Sequence, residues 1–290
     1  MIKYEYITDP EILLSWIQAM RERKKYMIAL DTEYEQNLHV FGEKLCLIQI
    51  FDGTHFLIVD PLQMDVEALR VLFESRDILK IMYDANSEVA LLKRVYKINI
   101  VSILDLRPAV DLLKYEKQDL HSVIFAELGI ELMGKKNFQT RNWINRPIPN
   151  DALEYAISDV QYLFPLKERM LKKLVDKNLI DIYMLRNLQV QNKVFSESPL
   201  DKYIKIPGYI YLDQQKQEIF RKVFDLRHHY AQKHNIPPYH VIGNKDLIAI
   251  ANDANTVDEL RFPGVLGSGD ILELIAALKS AGATPRDLKI

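Results

Sequence analysis

The segment M-I-A-L-D-T-E-Y, Met27 to Tyr34, constrains this chain more than any other stretch. Its apolar start has the character of a buried strand. Side chains on a strand alternate faces, so Asp31 and Glu33 share one face, a few ångströms apart. Two carboxylates at the mouth of a core repel each other and persist only with a cation, an arginine or a shared proton between them. The motif itself holds no lysine or arginine. Taken alone, a D-x-E reads more readily as a solvated strand end, so partners elsewhere in the chain decide its meaning.

The chain has 290 residues and is 48% hydrophobic, enough for a sizeable core and about two domains. It carries 38 basic and 40 acidic residues, a net charge of −2, which excludes a global field for nucleic acid. A polyanion must therefore be held by a local patch. The single cysteine, Cys46 in K-L-C-L-I-Q-I, excludes an internal disulfide framework and a Cys-rich zinc site. It reads as core in a reduced, intracellular protein. The start M-I-K-Y-E-Y-I-T-D-P has no apolar run of signal-peptide or membrane-span character, so a soluble, cytoplasmic protein is expected.

Apolar runs at Tyr26 to Leu30, Lys44 to Phe51 and His55 to Val59 predict strands, and Asp52-Gly53 between the last two predicts a hairpin. A further run, Leu79 to Tyr83, leads into an amphipathic segment with Ala85, Val89, Leu92 and Tyr96 on one face. A short strand near Val101 to Leu104 follows. Strand, helix, strand implies a parallel crossover, hence a mixed sheet with helices packed on it. Between about Lys193 and Asp213 the period is lost, and S-E-S-P and K-I-P-G mark a linker. Beyond it, short helices are expected at Gln214 to Lys233, Lys245 to Ala251, Val257 to Arg261 and Asp270 to Lys279.

Two more segments carry candidate chemistry. In N-D-A-L-E-Y-A-I-S-D-V-Q-Y-L-F, with Asn150 or Asp151 as helix N-cap, Leu153, Ile157, Val160 and Phe164 form an apolar stripe. Tyr155 and Asp159 stack on the opposite face, which Tyr162 and Leu166 also cover. In I-M-Y-D-A-N-S-E-V-A-L-L, Glu88 falls in the first turns of the amphipathic helix and Asp84 is placed to cap it. Between Met133 and Asn150 there is no acid, while Lys135, Lys136, Arg141 and Arg146 alternate with Phe138 and Trp143. That composition suits phosphates and unpaired bases. Trp143 is expected in the core, and at least one of the cations on phosphate.

The order D-T-E, then a carboxylate opening a helix after a strand, then Y-A-I-S-D, resembles the three exonuclease motifs of the DEDD superfamily in its tyrosine-containing subclass. G-K-K-N-F-Q-T-R-N-W-I-N-R-P-I-P is similar to the ribonuclease D branch. L-I-A-I-A-N-D-A-N-T-V-D-E-L-R-F-P-G-V is similar to a single helicase and RNase D C-terminal (HRDC) domain. The resemblance spans nearly the whole chain. It implies a ribonuclease H-like α/β fold with a mixed sheet and surrounding helices at 1–195, a linker at 196–212 and a small all-α HRDC domain at 213–285. It also implies that Asp31, Glu33, Glu88 and Asp159 hold two divalent cations, Mg2+ or Mn2+, while Tyr155 orients the attacking water.

The implied activity is 3'–5' exoribonuclease trimming of RNA with an accessible single-stranded 3' end, tRNA precursors included, with release of nucleoside 5'-monophosphates. No membrane and no obligate protein partner is implied. The chemistry is coherent: phosphodiester cleavage benefits from two cations about 3.5–4 Å apart, and hard cations take carboxylate oxygens. A tyrosine with an ordinary pKa of about 10 is a poor base and a better orienting group.

The chain departs from the family at Glu88, where aspartate is usual, and at Asp84, where an uncharged residue is usual. One methylene moves a carboxylate by about an ångström, a misplacement that can cost about a hundredfold in rate. Asp84 as a supporting ligand and a catalytically weakened RNA-binding relative are the alternatives there. A 3'–5' DNA exonuclease is a further alternative, since no residue is marked as reading the 2'-hydroxyl.

Overall fold

The structure is a computed structural model that describes residues 2–132, 138, 140–193 and 201–282. The chain divides into two compact units, one of residues 1–35 and 43–194, the other of 36–42 and 195–290. The first unit is built on a six-stranded sheet: β1 (Tyr4–Ile7), β2 (Met27–Gln36), β3 (Glu43–Phe51), β4 (Phe56–Val59), β5 (Leu79–Met82) and β6 (Ile103–Asp105), in the spatial order β1-β4-β3-β2-β5-β6. β3 and β4 pair antiparallel across the expected Asp52-Gly53 turn. There Gly53 adopts φ +91° and the Asp52 carboxylate accepts from the backbone N–H of Thr54 and His55. β2, β5 and β6 pair in parallel, as the strand-helix-strand pattern requires. The pattern does not announce β1, which adds in parallel to β4 at the sheet edge.

Between the strands run α1 (Pro10–Glu22), α2 (Val66–Phe73) and α3 (Asn86–Leu91), and α4 (Arg107–Leu113) comes directly after β6. α5 (Leu120–Leu128), α6 (Asn150–Gln161), α7 (Leu163–Asp176) and α8 (Ile180–Gln191) follow the last strand. Period-two alternation sorts β2 between two faces. Ala29 joins Ile81 of β5 and Leu104 of β6 in a core with Val110, Val123, Val160, Leu166 and Met170 from α4 to α7. Leu47 and Ile58 face Ala152, Leu153, Ala156 and Ile157 of α6 and the buried Trp143. Ile28 and Leu30, on the other face, are buried as well. Asp31 and Glu33 continue the row of Ala29, so the sheet aims them at the α4–α8 side.

Asp105, fully buried at the end of β6, ties this arrangement together. Its carboxylate accepts from the backbone N–H of Asp84 (2.8 Å), Ala85 (3.0 Å) and Arg107 (2.8 Å). Its own backbone N–H donates to Asn187 Oδ1 (2.6 Å), and its carbonyl accepts from Tyr183 Oη (3.0 Å) on α8.

The second unit contains α9 (Asp201–Ile204), α10 (Gln214–His234), α11 (Pro238–Val241), α12 (Asn244–Asn252) and α13 (Ser268–Gly282). The span 196–212, expected as a linker, is structured where it is described. Tyr203, Tyr209 and Leu212 are buried in one core with Phe220, Phe224, Leu247, Leu274 and Leu278. Residues 36–42 also belong to this unit. Phe41 lies edge-on to His228 at 6.3 Å, and Tyr239 Oη donates to the Leu38 carbonyl at 3.0 Å. No helix among the described residues is long and apolar enough to cross a membrane.

Asp105→Ala would leave three N–H groups without their acceptor in a buried setting, at roughly 1–3 kcal/mol for a group so stranded. Urea denaturation should show a loss of about 3 kcal/mol. A loss below about 0.5 kcal/mol would mean that the turn before α3 does not depend on Asp105.

Candidate active site

Asp31 and Glu33 come from β2, and Asp159 comes from α6, whose small Ala152 and Ala156 lie fully buried against the sheet. One carboxylate oxygen from each of the three lies within 4.8 Å of the others. Burial pushes the Asp31 carboxyl well above its ordinary range, and the charges of Asp159, Glu88 and Glu33 push it further. Glu33 is raised by burial, then by Asp159 and Glu88. The cluster therefore concentrates hard oxygen donors under mutual repulsion, the donor set that suits a divalent cation.

Glu88 reaches this neighbourhood from α3. It is buried, its Oε2 has no hydrogen-bond partner, and its charge acts on Asp31 and Glu33. It lies outside the group of three. Its own carboxyl is raised to about 8, by burial first and then by Asp105 and Asp84. Asp84 does not cap the helix. The N-cap is Ala85 with no side-chain cap, and the turn is held instead by Asp105, while Asp84 sits exposed in the left-handed region at φ +60°. Its carboxylate accepts from Asn86 Nδ2 at 3.3 Å. The cap thus comes from 21 residues downstream, where local spacing does not reach. α6 is likewise capped at Pro149, without a side-chain bond from Asn150 or Asp151 to a later turn.

Tyr155 lies one turn before Asp159, its ring stacked on Phe138 with centroids 4.9 Å apart. Burial, then the charges of Asp159, Glu33 and Asp31, hold its phenol far above the ordinary tyrosine value. A residue without any motif joins the site here. His121 of α5 places Nε2 3.2 Å from Asp159 Oδ1, with its ring 6.3 Å from that of Tyr155. A lone histidine in D-L-H-S-V offers no spacing signal, and only the packing of α5 against α7, the helix that follows α6, brings it in. Two cavities flank the pair. One of about 560 Å3 is lined by His121, Tyr115, Lys117 and Phe125, and one of about 300 Å3 by Tyr155, Phe138 and Tyr162. Both include Glu131 and Leu132.

Of the four candidate phosphate-binding cations, Lys135 and Lys136 lie outside the described residues. Arg146 requires a correction, because all five of its N–H donors are used within the first unit. Nε and Nη2 pair with Asp60 at 2.6 and 2.8 Å, Nη2 also donates to the Cys46 carbonyl, and Nη1 donates to the carbonyls of Trp143 and Asn145. Arg146 is a structural tie. Arg141 keeps a buried Nε without a partner, its guanidinium 6.0 Å from the Trp143 ring. Trp143 is in the core, as expected.

Residues 4–175 match the model of the 3'–5' exonuclease family. The chain belongs to this family. It is 26% identical over 238 residues to exosome complex component 10 of Rattus norvegicus, covering 78% of this chain and 26% of that protein. It is 28% identical over 174 residues to ribonuclease D of Xanthomonas oryzae pv. oryzae, covering 60% of this chain and 47% of that protein. The chain thus spans about a quarter and about half of these relatives. The crystal structure of Escherichia coli RNase D superposes with a TM-score of 0.73 at 23% identity, over 99% of this chain and 77% of that one. This likeness is one of fold.

Two outcomes follow from the charges. Asp31 and Glu33 bind protons more tightly folded than unfolded, so the cation-free protein should lose stability as pH rises above the ordinary carboxylate range. Thermal unfolding in chelator should show this fall. Asp31→Asn should raise the melting temperature and flatten the pH dependence, and an unchanged profile would contradict the assigned repulsion. Arg146→Ala strands the buried Asp60 carboxylate. Burial alone would raise that carboxyl, but hydrogen bonds from Arg146 and Tyr6 hold it below its ordinary value. The contribution is therefore present above the unfolded value and lost as pH falls through the folded one. Denaturation at neutral pH should show a loss of about 3 kcal/mol, shrinking in acid.

Proposed function

We propose that this chain is a divalent-cation-dependent 3'–5' exoribonuclease. The observation that carries this is the convergence of Asp31, Glu33 and Asp159 from β2 and α6, with Tyr155 one turn away. In this assignment the three carboxylates, with Glu88, hold two divalent cations. When bound, the cations supply Lewis-acid charge to the scissile phosphate and acidify the attacking water. Tyr155 keeps its proton at neutral pH and orients that water by hydrogen bonding, without acting as a base. The stacked Phe138–Tyr155 pair beside the cavities offers aromatic surface to an unpaired 3'-terminal base.

RNA is favoured over DNA by relatives named ribonuclease D and by the structurally similar E. coli protein, described as "an exoribonuclease involved in structured RNA processing". tRNA precursors are the substrate class we infer, with nucleoside 5'-monophosphates as products. The helices of the second unit are read as an HRDC domain that adds RNA affinity, since they carry none of the matched carboxylates. A cytoplasmic setting accords with the buried free thiol of Cys46. The position of Glu88 outside the tight group favours, as a second reading, an enzyme whose second cation site is weak.

Matched RNA and DNA strands labelled at the 5' end should test the activity directly. With Mn2+ or Mg2+ the RNA should shorten stepwise from its 3' end, with little change in DNA. Chelator or Asp31→Ala should reduce the rate to background, and undiminished cleavage in either would sink the assignment. At the second motif, Glu88→Ala should remove most activity. Glu88→Asp should also lose rate, because the carboxylate retracts by about an ångström. Asp84→Asn should be mild, since the side chain is exposed and asparagine tolerates the left-handed backbone. A defect that moved from Glu88 to Asp84 would transfer the ligand role.

A further inference from the structure

We propose that His121 is a positioning residue, whose hydrogen bond to Asp159 holds that carboxylate in the orientation in which the cluster takes up divalent cations. This rests on the cation-dependent function proposed above. The carboxylate torsion of an aspartate is soft, with a broad preference about its last bond. Asp159 faces the like charges of Asp31 and Glu33, which favour turning its oxygens away from them. His121 opposes that rotation, because in the tautomer protonated at Nε2 it donates to Oδ1 at 3.2 Å and restrains the carboxylate about its last bond.

The donor is itself fixed. α5 is capped by Asp119, whose carboxylate accepts from Ser122 N at 3.2 Å, and the next residues, Val123 and Ile124, are fully buried in the sheet-facing core. The imidazole retains only 13% side-chain exposure and the Asp159 side chain 11%, so water competes little for the bond. The ring also borders Tyr155 on one side and the cavity of about 560 Å3 on the other. Nε2 is directed to the carboxylate, so His121 acts through Asp159. Partners of this kind, one bond behind a ligand, typically change cation affinity or activity by about 10- to 100-fold when removed.

The test measures cation uptake by the full chain without RNA. Mn2+ binding at fixed pH is followed by calorimetry and by loss of the free-ion electron paramagnetic resonance signal, for wild type, His121→Ala and His121→Gln. The glutamine amide N–H reaches about as far as Nε2 and serves as the conservative replacement. His121→Ala should weaken Mn2+ binding by about 10- to 100-fold, and His121→Gln should recover most of it. In the nuclease assay, excess Mn2+ should restore kcat of His121→Ala with KM for RNA little changed. Wild-type Mn2+ affinity in His121→Ala overturns the proposal even if RNA degradation slows, because His121 would then act on water or RNA. A melting temperature unchanged in His121→Gln, together with Mn2+ binding as weak as in His121→Ala, also overturns it. A wild-type chain that takes up no Mn2+ overturns the cation reading itself.

Discussion

Three carboxylates held together against their own repulsion are the constraint on which the rest of this structure turns. At an effective dielectric of about 20, two like charges about 4 Å apart cost on the order of 4 kcal/mol, a large part of a typical folding stability. Asp31, Glu33 and Asp159 nonetheless converge, with Glu88 adding a fourth carboxyl nearby. The apolar core must offset this, and it does so from both supporting elements. β2 is buried through Ile28, Ala29 and Leu30, and α6 through Ala152, Leu153, Ala156, Ile157 and Val160. Small alanines let the helix approach the sheet, so Asp159 arrives beside the D-T-E row.

The second motif shows how far such positioning extends along the chain. Glu88 sits on a helix whose first turn begins at a left-handed Asp84 and has no local cap. Asp105 supplies the missing acceptors, and Asp105 is in turn held by Asn187 and Tyr183, some 80 residues later. α8 is therefore part of what aims Glu88, although it contributes no residue to the carboxylate group. The five-residue π-helical turn Leu92–Tyr96 that follows α3 spaces the chain after Glu88 differently from a regular helix.

Positive charge is arranged with the same economy. A chain with a net charge of −2 exerts no overall attraction on a polyanion, and Arg146 is not among the cations free to meet one. Its fork ties the buried Asp60, Cys46 and the Trp143–Asn145 backbone into one half-buried junction. The planar guanidinium suits such a junction, since it satisfies a carboxylate and three carbonyls at once.

By itself, the sequence determined the elements that depend on local periodicity and turn chemistry: a strand carrying Asp31 and Glu33 on one face, though it runs on to Gln36 where the apolar run marks its end near Leu30, the Asp52-Gly53 hairpin, the parallel crossover, the helix bearing Tyr155 and Asp159, and the helical second unit. These follow from short-range alternation and spacing, which are written in neighbouring residues. Only the tertiary structure decided which groups meet across long separations. His121 reaches Asp159 over 38 residues, Asp105 caps a helix 20 residues upstream, and Arg146 is consumed by Asp60 over 86. Residues 36–42, β1 and Tyr203 find their places in the same way. The physical reason is common to all of them: a hydrogen bond, an ion pair or a packed ring needs proximity in space, and a lone histidine, arginine or aspartate carries no local sign of the partner that the packed core will bring to it.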